Sequence, residues 1–230
     1  MSDPDHKDEI CFISRGRYVS VEGSFIESCA NNANIVVPAH MVQNRIKRDG
    51  LQEHHLTFIN PFELKDAASK LDIKKKAASR IIERIQNEHG FPSTWEPPID
   101  LGTGRILGKD NAVTLFKVIH WPAGQAIRQN LGLGHAFLHV TLGFDPADIH
   151  QYKGPGSLDT LNGISQCSHR DIEQLTSLQH HYHGDGVFMK RLAIQCWKTG
   201  FYRWAFWLTF RYSLATIKLY MTAIKSPRLR

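Results

Sequence analysis

Two short stretches of the chain share one alternation of polar and apolar positions. His54-His55-Leu56-Thr57-Phe58-Ile59 and Leu138-His139-Val140-Thr141-Leu142-Gly143-Phe144 both contain His-x-Thr-hydrophobic. In an extended strand, alternate side chains point to the same face. Each stretch therefore predicts a strand that shows an imidazole and a hydroxyl on one face and sends Leu56 and Phe58, or Val140 and Leu142, toward a core. Around them, alternation predicts a strand over residues 17–22, short strands over 99–101 and 105–107 separated by Gly102 and Gly104, and a longer strand over 112–121. Helical spacing of apolar residues marks 38–51, with Arg45, Lys47 and Arg48 on its wet side and Gly50 near its end. It marks a long helix over 67–88, through Leu71, Ile73, Ala77, Ile81, Ile82 and Ile85, and shorter ones over 125–131 and 169–178. The order is strand, helix, His-x-Thr strand, long helix, strands, helix, His-x-Thr strand. Each half delivers a helix and then a His-x-Thr strand, an α+β arrangement of two similar lobes.

Length and composition narrow the setting. A chain of 230 residues with 42% hydrophobic content suits one larger domain with a tail. The net charge of +6 favours anionic partners such as RNA, nucleotides or acidic membrane surfaces. Cys11, Cys29, Cys167 and Cys196 are scattered, without zinc-like spacing. The polar, acidic start has no apolar signal core, so reduced thiols and a cytoplasmic or nuclear location are expected. No uncharged apolar run is long enough to span a bilayer. Residues 1–14 read as a flexible arm.

The two strands, 84 residues apart (139 − 55 = 84), resemble the 2H phosphoesterase superfamily. Its LigT-like members include RNA 2′,3′-cyclic phosphodiesterases. The His-Val-Thr-Leu-Gly-Phe form is also similar to the 2H domains attached to Swiss Army Knife RNA-repair proteins. The resemblance covers approximately residues 15–150. It implies a bilobal LigT-like fold in which two antiparallel sheets flank a central cleft. It implies His55 and His139 as the catalytic imidazoles, Thr57 and Thr141 as phosphate-binding hydroxyls, and no metal or other cofactor. The substrate class it implies is RNA or a nucleotide carrying a cyclic phosphate or phosphodiester. Opening such a diester needs a base for water and an acid for the departing alkoxide, and imidazoles serve both roles near neutral pH. The non-bridging oxygens need donors, which the threonine hydroxyls supply.

Further candidates for substrate contact are His135, four residues before His139 on the same strand face, and Arg105 and Lys117 on neighbouring strands. Tyr152 and Lys153 lie in the loop after the second motif, where an aromatic ring and a cation suit a base and a phosphate. His54 points away from His55, to a structural or rim position. The domain is expected over residues 15–153, a linker and helix over 154–186, and a helical extension over 187–230. His180, His181 and His183 read as a solvated turn. In the extension, Phe201, Ala205, Leu208, Tyr212, Ala215 and Leu219 fall at helical spacing, with Arg203, Arg211, Lys218 and Lys225 as a basic stripe. That helix packs on the domain, binds a protein partner, or lies on an acidic membrane surface. Two other readings remain from the residues alone: a noncatalytic nucleotide- or RNA-binding module on the same fold, and a helical interaction protein.

Overall fold

Alternation and helical spacing become a single antiparallel sheet with helices on it in a computed structural model, which describes residues 9–33 and 35–211. In chain order, the first unit comprises β1 (Cys11–Ser14), β2 (Val19–Glu22), α1 (Ser24–Asn31), α2 (Ala39–Asp49), β3 (Leu56–Ile59), α3 (Pro61–Lys70) and α4 (Ala77–His89). It continues with β4 (Ile99–Leu107), β5 (Val113–His120), α5 (Pro122–Asn130) and β6 (His139–Asp145). The six strands lie in the order β1-β2-β3-β6-β5-β4. That order sets two three-stranded halves, β1-β2-β3 and β6-β5-β4, edge to edge, joined where β3 pairs with β6 through Leu56 and Val140. The expected pair of sheets flanking a cleft is thus one sheet, in which the two His-x-Thr strands are direct neighbours. The α+β class stands.

Both motif strands carry the same irregularity. The β2–β3 register slips between Val19 and Ser20, leaving Phe58 as the extra residue on β3. The β5–β6 register slips between Leu115 and Phe116, leaving Leu142 as the extra residue on β6. These are equivalent positions (58 + 84 = 142), each directly after the threonine. A one-residue bulge flips the alternation beyond it, so Phe58 and Ile59 are both buried, as are Leu142 and Gly143. The core beneath the sheet gathers Val21, Leu56 and Val140 with Ile26, Met41, Leu64, Ile81 and Ile85 from α1 to α4.

Helix starts and breaks differ from the periodicity in instructive ways. The Asn60-Pro61 pair that closes β3 also opens α3. Asn60 Oδ1 accepts from the Phe62 and Glu63 amides, and Glu63 accepts from the Asn60 amide at 3.1 Å, a capping box with proline at the first helical position. The expected long helix over 67–88 is two helices, α3 and α4. Asp72 and Lys76 between them take φ of 51° and 52°, a left-handed backbone no helix continues through. β4 runs unbroken where two short strands were expected, with Gly102 at φ 115° absorbing a bulge. β1 lies in the stretch read as an arm, and α1 was not foreseen.

Gly143 ties the sheet to α2. A Cβ there would come within 2.9 Å of the Met41 carbonyl carbon and 3.0 Å of its oxygen. Gly143→Ala is expected to push α2 away and cost about 1–3 kcal/mol, measured by urea unfolding.

The second unit, residues 155–230, holds α6 (His169–Ser177), α7 (Gly186–Lys198) and a helix over 202–211. Residues 155–186, read as linker and helix, contribute Leu158, Leu161, Ile172 and Leu175 to the unit's buried set, alongside Phe188 and Leu192. Arg191 Nη1 donates to the Gly156 carbonyl at 2.5 Å. His180 and His183 place their Nδ1 atoms 3.0 Å from the carbonyls of Ser177 and His180, a local turn. Ala205 and Leu208 are buried while Phe206 and Phe210 are exposed. The expected helical positions Tyr212, Ala215, Lys218, Leu219 and Lys225 lie outside the described residues. No described helix is long and apolar enough to cross a membrane.

Candidate active site

The β3–β6 register fixes the geometry of the four motif residues. With Leu56 opposite Val140, one step either way sets His55 opposite Thr141 and Thr57 opposite His139 (56 + 140 = 55 + 141 = 57 + 139). Side chains directly opposite share a face, and alternate residues along each strand do too. All four therefore stand together on the face turned away from Leu56 and Val140. The imidazoles occupy one diagonal of the square and the hydroxyls the other, with diagonal neighbours about 7–8 Å apart. All four are half-buried. His55 itself precedes β3 instead of lying inside it.

Neighbouring strands extend the square. Ser20 and Val118 flank the Thr57–His139 row, and Phe116 flanks Thr141. The Phe116 ring meets the His139 ring edge-on, with centroids 5.8 Å apart.

The two histidines sit in unlike surroundings. His139 Nδ1 lies 2.8 Å from the Phe137 carbonyl oxygen. A carbonyl only accepts, so Nδ1 carries the hydrogen and Nε2 of the neutral ring keeps its lone pair. Burial, reinforced by the Lys153 ammonium, pushes this imidazole down to about 4. His55 Nδ1 is buried without a hydrogen-bond partner, and Asp49 Oδ2 stands 3.9 Å away. Burial lowers His55 too, with Asp49 opposing that fall. The Tyr18 ring lies 5.8 Å from the His55 ring.

Charged groups surround the square, and of them the sequence reading named only Lys153 as a candidate. Arg15 holds Glu22 through contacts of 2.6 and 2.9 Å. Arg48 Nε donates to Asp49 Oδ1 at 2.7 Å, and its Nη1 donates to Asp148. Lys153 Nζ donates to Asp148 Oδ1 at 2.8 Å and lies 5.7 Å from the Phe116 ring centroid. Arg48 covers the Phe144 ring at 4.9 Å. Burial raises the Asp148 carboxyl, but Lys153 and Arg48 outweigh it and hold it below the usual carboxylate range. Arg45, expected on the wet side, is buried and donates to the carbonyls of Glu53 and Gln52 at 2.9 and 2.7 Å, fixing the approach to His55. Only the position of Arg48, Asp49 and Asp148 within ten residues of a motif hinted at their place.

The remaining sequence candidates divide. Lys153 is buried beside the square, and Tyr152 meets the Phe137 ring edge-on at 4.8 Å. Lys117 pairs in register with Val140 and so lies on the opposite face, where its ammonium is 2.8 Å from Asp100. Arg105 shares that opposite face by its register with Leu115. His135 is exposed on the coil before β6, edge-on to Phe137, and on no strand. His54 is tied to Glu27, with Nδ1 2.9 Å from Oε2.

The depressed His139 is expected to cost the protein stability in acid. Below its ordinary value of 6.5 the unfolded chain takes up a proton that the folded site resists until about pH 4. The unfolded state then binds more protons, so stability falls as pH drops through that window, by on the order of 3 kcal/mol. Urea midpoints at pH 7 and pH 4.5 are expected to differ markedly in the wild type and much less in His139→Gln.

The family model described as Swiss Army Knife, 2H phosphoesterase domain, matches residues 17–150, more than half of the chain and both motifs. The chain belongs to that family. No curated protein and no solved structure matches it.

Proposed function

We propose that the protein hydrolyses a 2′,3′-cyclic phosphate, or a related phosphodiester of RNA or a nucleotide, by paired imidazole acid–base catalysis. The observation that carries this reading is the diagonal arrangement of the square. An in-line displacement puts the attacking and leaving oxygens on opposite sides of phosphorus. A phosphate over the centre would have an imidazole at each of those sides and a threonine hydroxyl at each non-bridging oxygen.

The unlike surroundings support one direction. His139, neutral and with Nε2 free to accept, takes the proton of the attacking water. The water oxygen bonds to phosphorus, the bond to the 2′ or 3′ oxygen breaks, and protonated His55 gives its proton to that leaving oxygen. The product is a phosphomonoester; His139 then releases its gained proton to solvent and His55 takes one up from solvent, restoring both rings. The bound anion, together with Asp49, favours the protonated form of His55. The scheme uses no metal. The Tyr18 ring near His55 and the Phe137 and Tyr152 rings near His139 offer surfaces for a nucleobase, and the net positive charge favours an anionic polymer.

Incubation with 2′,3′-cyclic nucleotides, 3′,5′-cyclic nucleotides and linear dinucleotides tests this. Turnover of the 2′,3′-cyclic compounds with a bell-shaped pH–rate profile is expected. Saturable binding without turnover would instead make the domain a nucleotide-binding module. Thr57→Ala and Thr141→Ala are each expected to lower kcat about 10²-fold, while Thr→Ser at the same positions keeps most of it.

A further inference from the structure

We propose that a chain of alternating charges, Asp49–Arg48–Asp148–Lys153, makes the two sequence-alike His-Thr halves chemically unequal, with Asp49 and Lys153 as positioning residues for His55 and His139. This rests on the acid and base roles assigned above. The square itself is nearly symmetric, with each imidazole between two threonines. Nothing in His-x-Thr tells one half from the other.

The ion chain does tell them apart. It begins at Asp49, whose Oδ2 is 3.9 Å from the unpartnered Nδ1 of His55. Arg48 bridges the two carboxylates, contacting Asp49 at 2.7 and 3.2 Å and donating to Asp148 with its other terminal nitrogen. Lys153 closes the chain on Asp148 at 2.8 Å and rests over Phe116, the ring that touches His139. Asp49, Asp148 and Lys153 are all largely shielded, at 6, 5 and 4% side-chain exposure, so solvent screens the chain weakly. An acidic end thus meets His55 and a basic end meets His139. A carboxylate favours an imidazolium and an ammonium disfavours it.

The other charges around each ring do not reproduce that asymmetry. His55 also faces Glu22 from β2, Arg15 from the β1–β2 turn and Tyr18, and Glu22 is held by Arg15 at 2.6 Å. His139 also feels Asp148 and Arg48, whose signs oppose each other, and the Phe137 carbonyl. Arg45 touches Asp49 from behind at 3.8 Å, and exposed His150 lies 3.9 Å from Asp148.

Ring titrations of His55 and His139 by NMR in substrate-free protein test the proposal, with assignments from His55→Gln and His139→Gln. In Lys153→Met the His139 midpoint is expected to rise by about one pH unit while His55 moves little. In Asp49→Asn the His55 midpoint falls while His139 moves little, and Lys153→Arg restores the wild-type His139 value. Lys153→Met leaves Asp148 short of a partner. The double variant Lys153→Met/Asp148→Asn removes both charges and is expected to show a smaller rise at His139. Unchanged midpoints in these variants, with the amide spectrum of the folded protein intact, overturn the proposal. Because the titration uses no substrate, that failure is separate from a failure of the catalytic reading, which would show as absent turnover with the midpoints shifted as stated.

Discussion

His139→Ala and His55→Ala are each expected to lower turnover of a 2′,3′-cyclic nucleotide by about 10³-fold or more, the range that a positioned acid or base contributes. The double variant should be scarcely worse than either single one, because the two rings act in one displacement. The substitutions separate when the leaving group changes. A p-nitrophenyl phosphodiester departs as a stabilised phenolate and needs no acid. His55→Ala is expected to recover most of its rate on that substrate, whereas His139→Ala, lacking the base for water, stays slow. Equal recovery by both would remove the assignment of His139 as base. Recovery by His139→Ala alone would reverse the roles.

Arg128→Met is expected to produce the largest loss of stability, about 3–5 kcal/mol, because it breaks a buried ion pair and strands its partners. The Arg128 guanidinium is fully buried on α5. It donates to the Phe58 carbonyl on β3, to the Glu63 carboxylate at 2.5 and 3.2 Å, and to the Gly134 carbonyl at 2.9 Å. One side chain thereby joins the first motif strand, the cap of α3 and the coil that leads into the second motif strand. Its loss takes the donor from the Phe58 carbonyl and the cation from the Glu63 carboxylate, which keeps only the Asn60 amide and solvent, and lysine lacks the forked donors to replace it. Urea unfolding gives the measure, with Arg84→Ala as control. Arg84 pairs with Glu88 on the exposed side of α4, both at 45% exposure, and its removal should cost no more than about 0.5 kcal/mol.

The reach of sequence reasoning here follows from which signals are local. α2, with its αL glycine at Gly50, and β5 and β6 announce themselves through periodicity and end signals. Four-residue β1 and eight-residue α1 carry too few repeats to do so. Leu71 and Ile73 continue an apolar rhythm through the break between α3 and α4, while the positive φ of Asp72 and Lys76 leaves no trace in hydrophobicity. The His-x-Thr pair reveals chemistry, but adjacency of β3 and β6 depends on a cross-strand register, and so does the exile of Lys117 and Arg105 to the far face. Arg48 and Asp49 look like ordinary helix surface, and Asp148 and Lys153 like loop charges. Only the fold joins them.

The central claim is that the diagonal imidazole pair turns over a cyclic phosphodiester. Phosphorus NMR of 2′,3′-cyclic AMP incubated with the full chain tests it most directly. The cyclic signal should give way to a phosphomonoester signal with the wild type and persist with His139→Ala. A cyclic signal that persists with the wild type, or disappears at the same rate with His139→Ala, would contradict it.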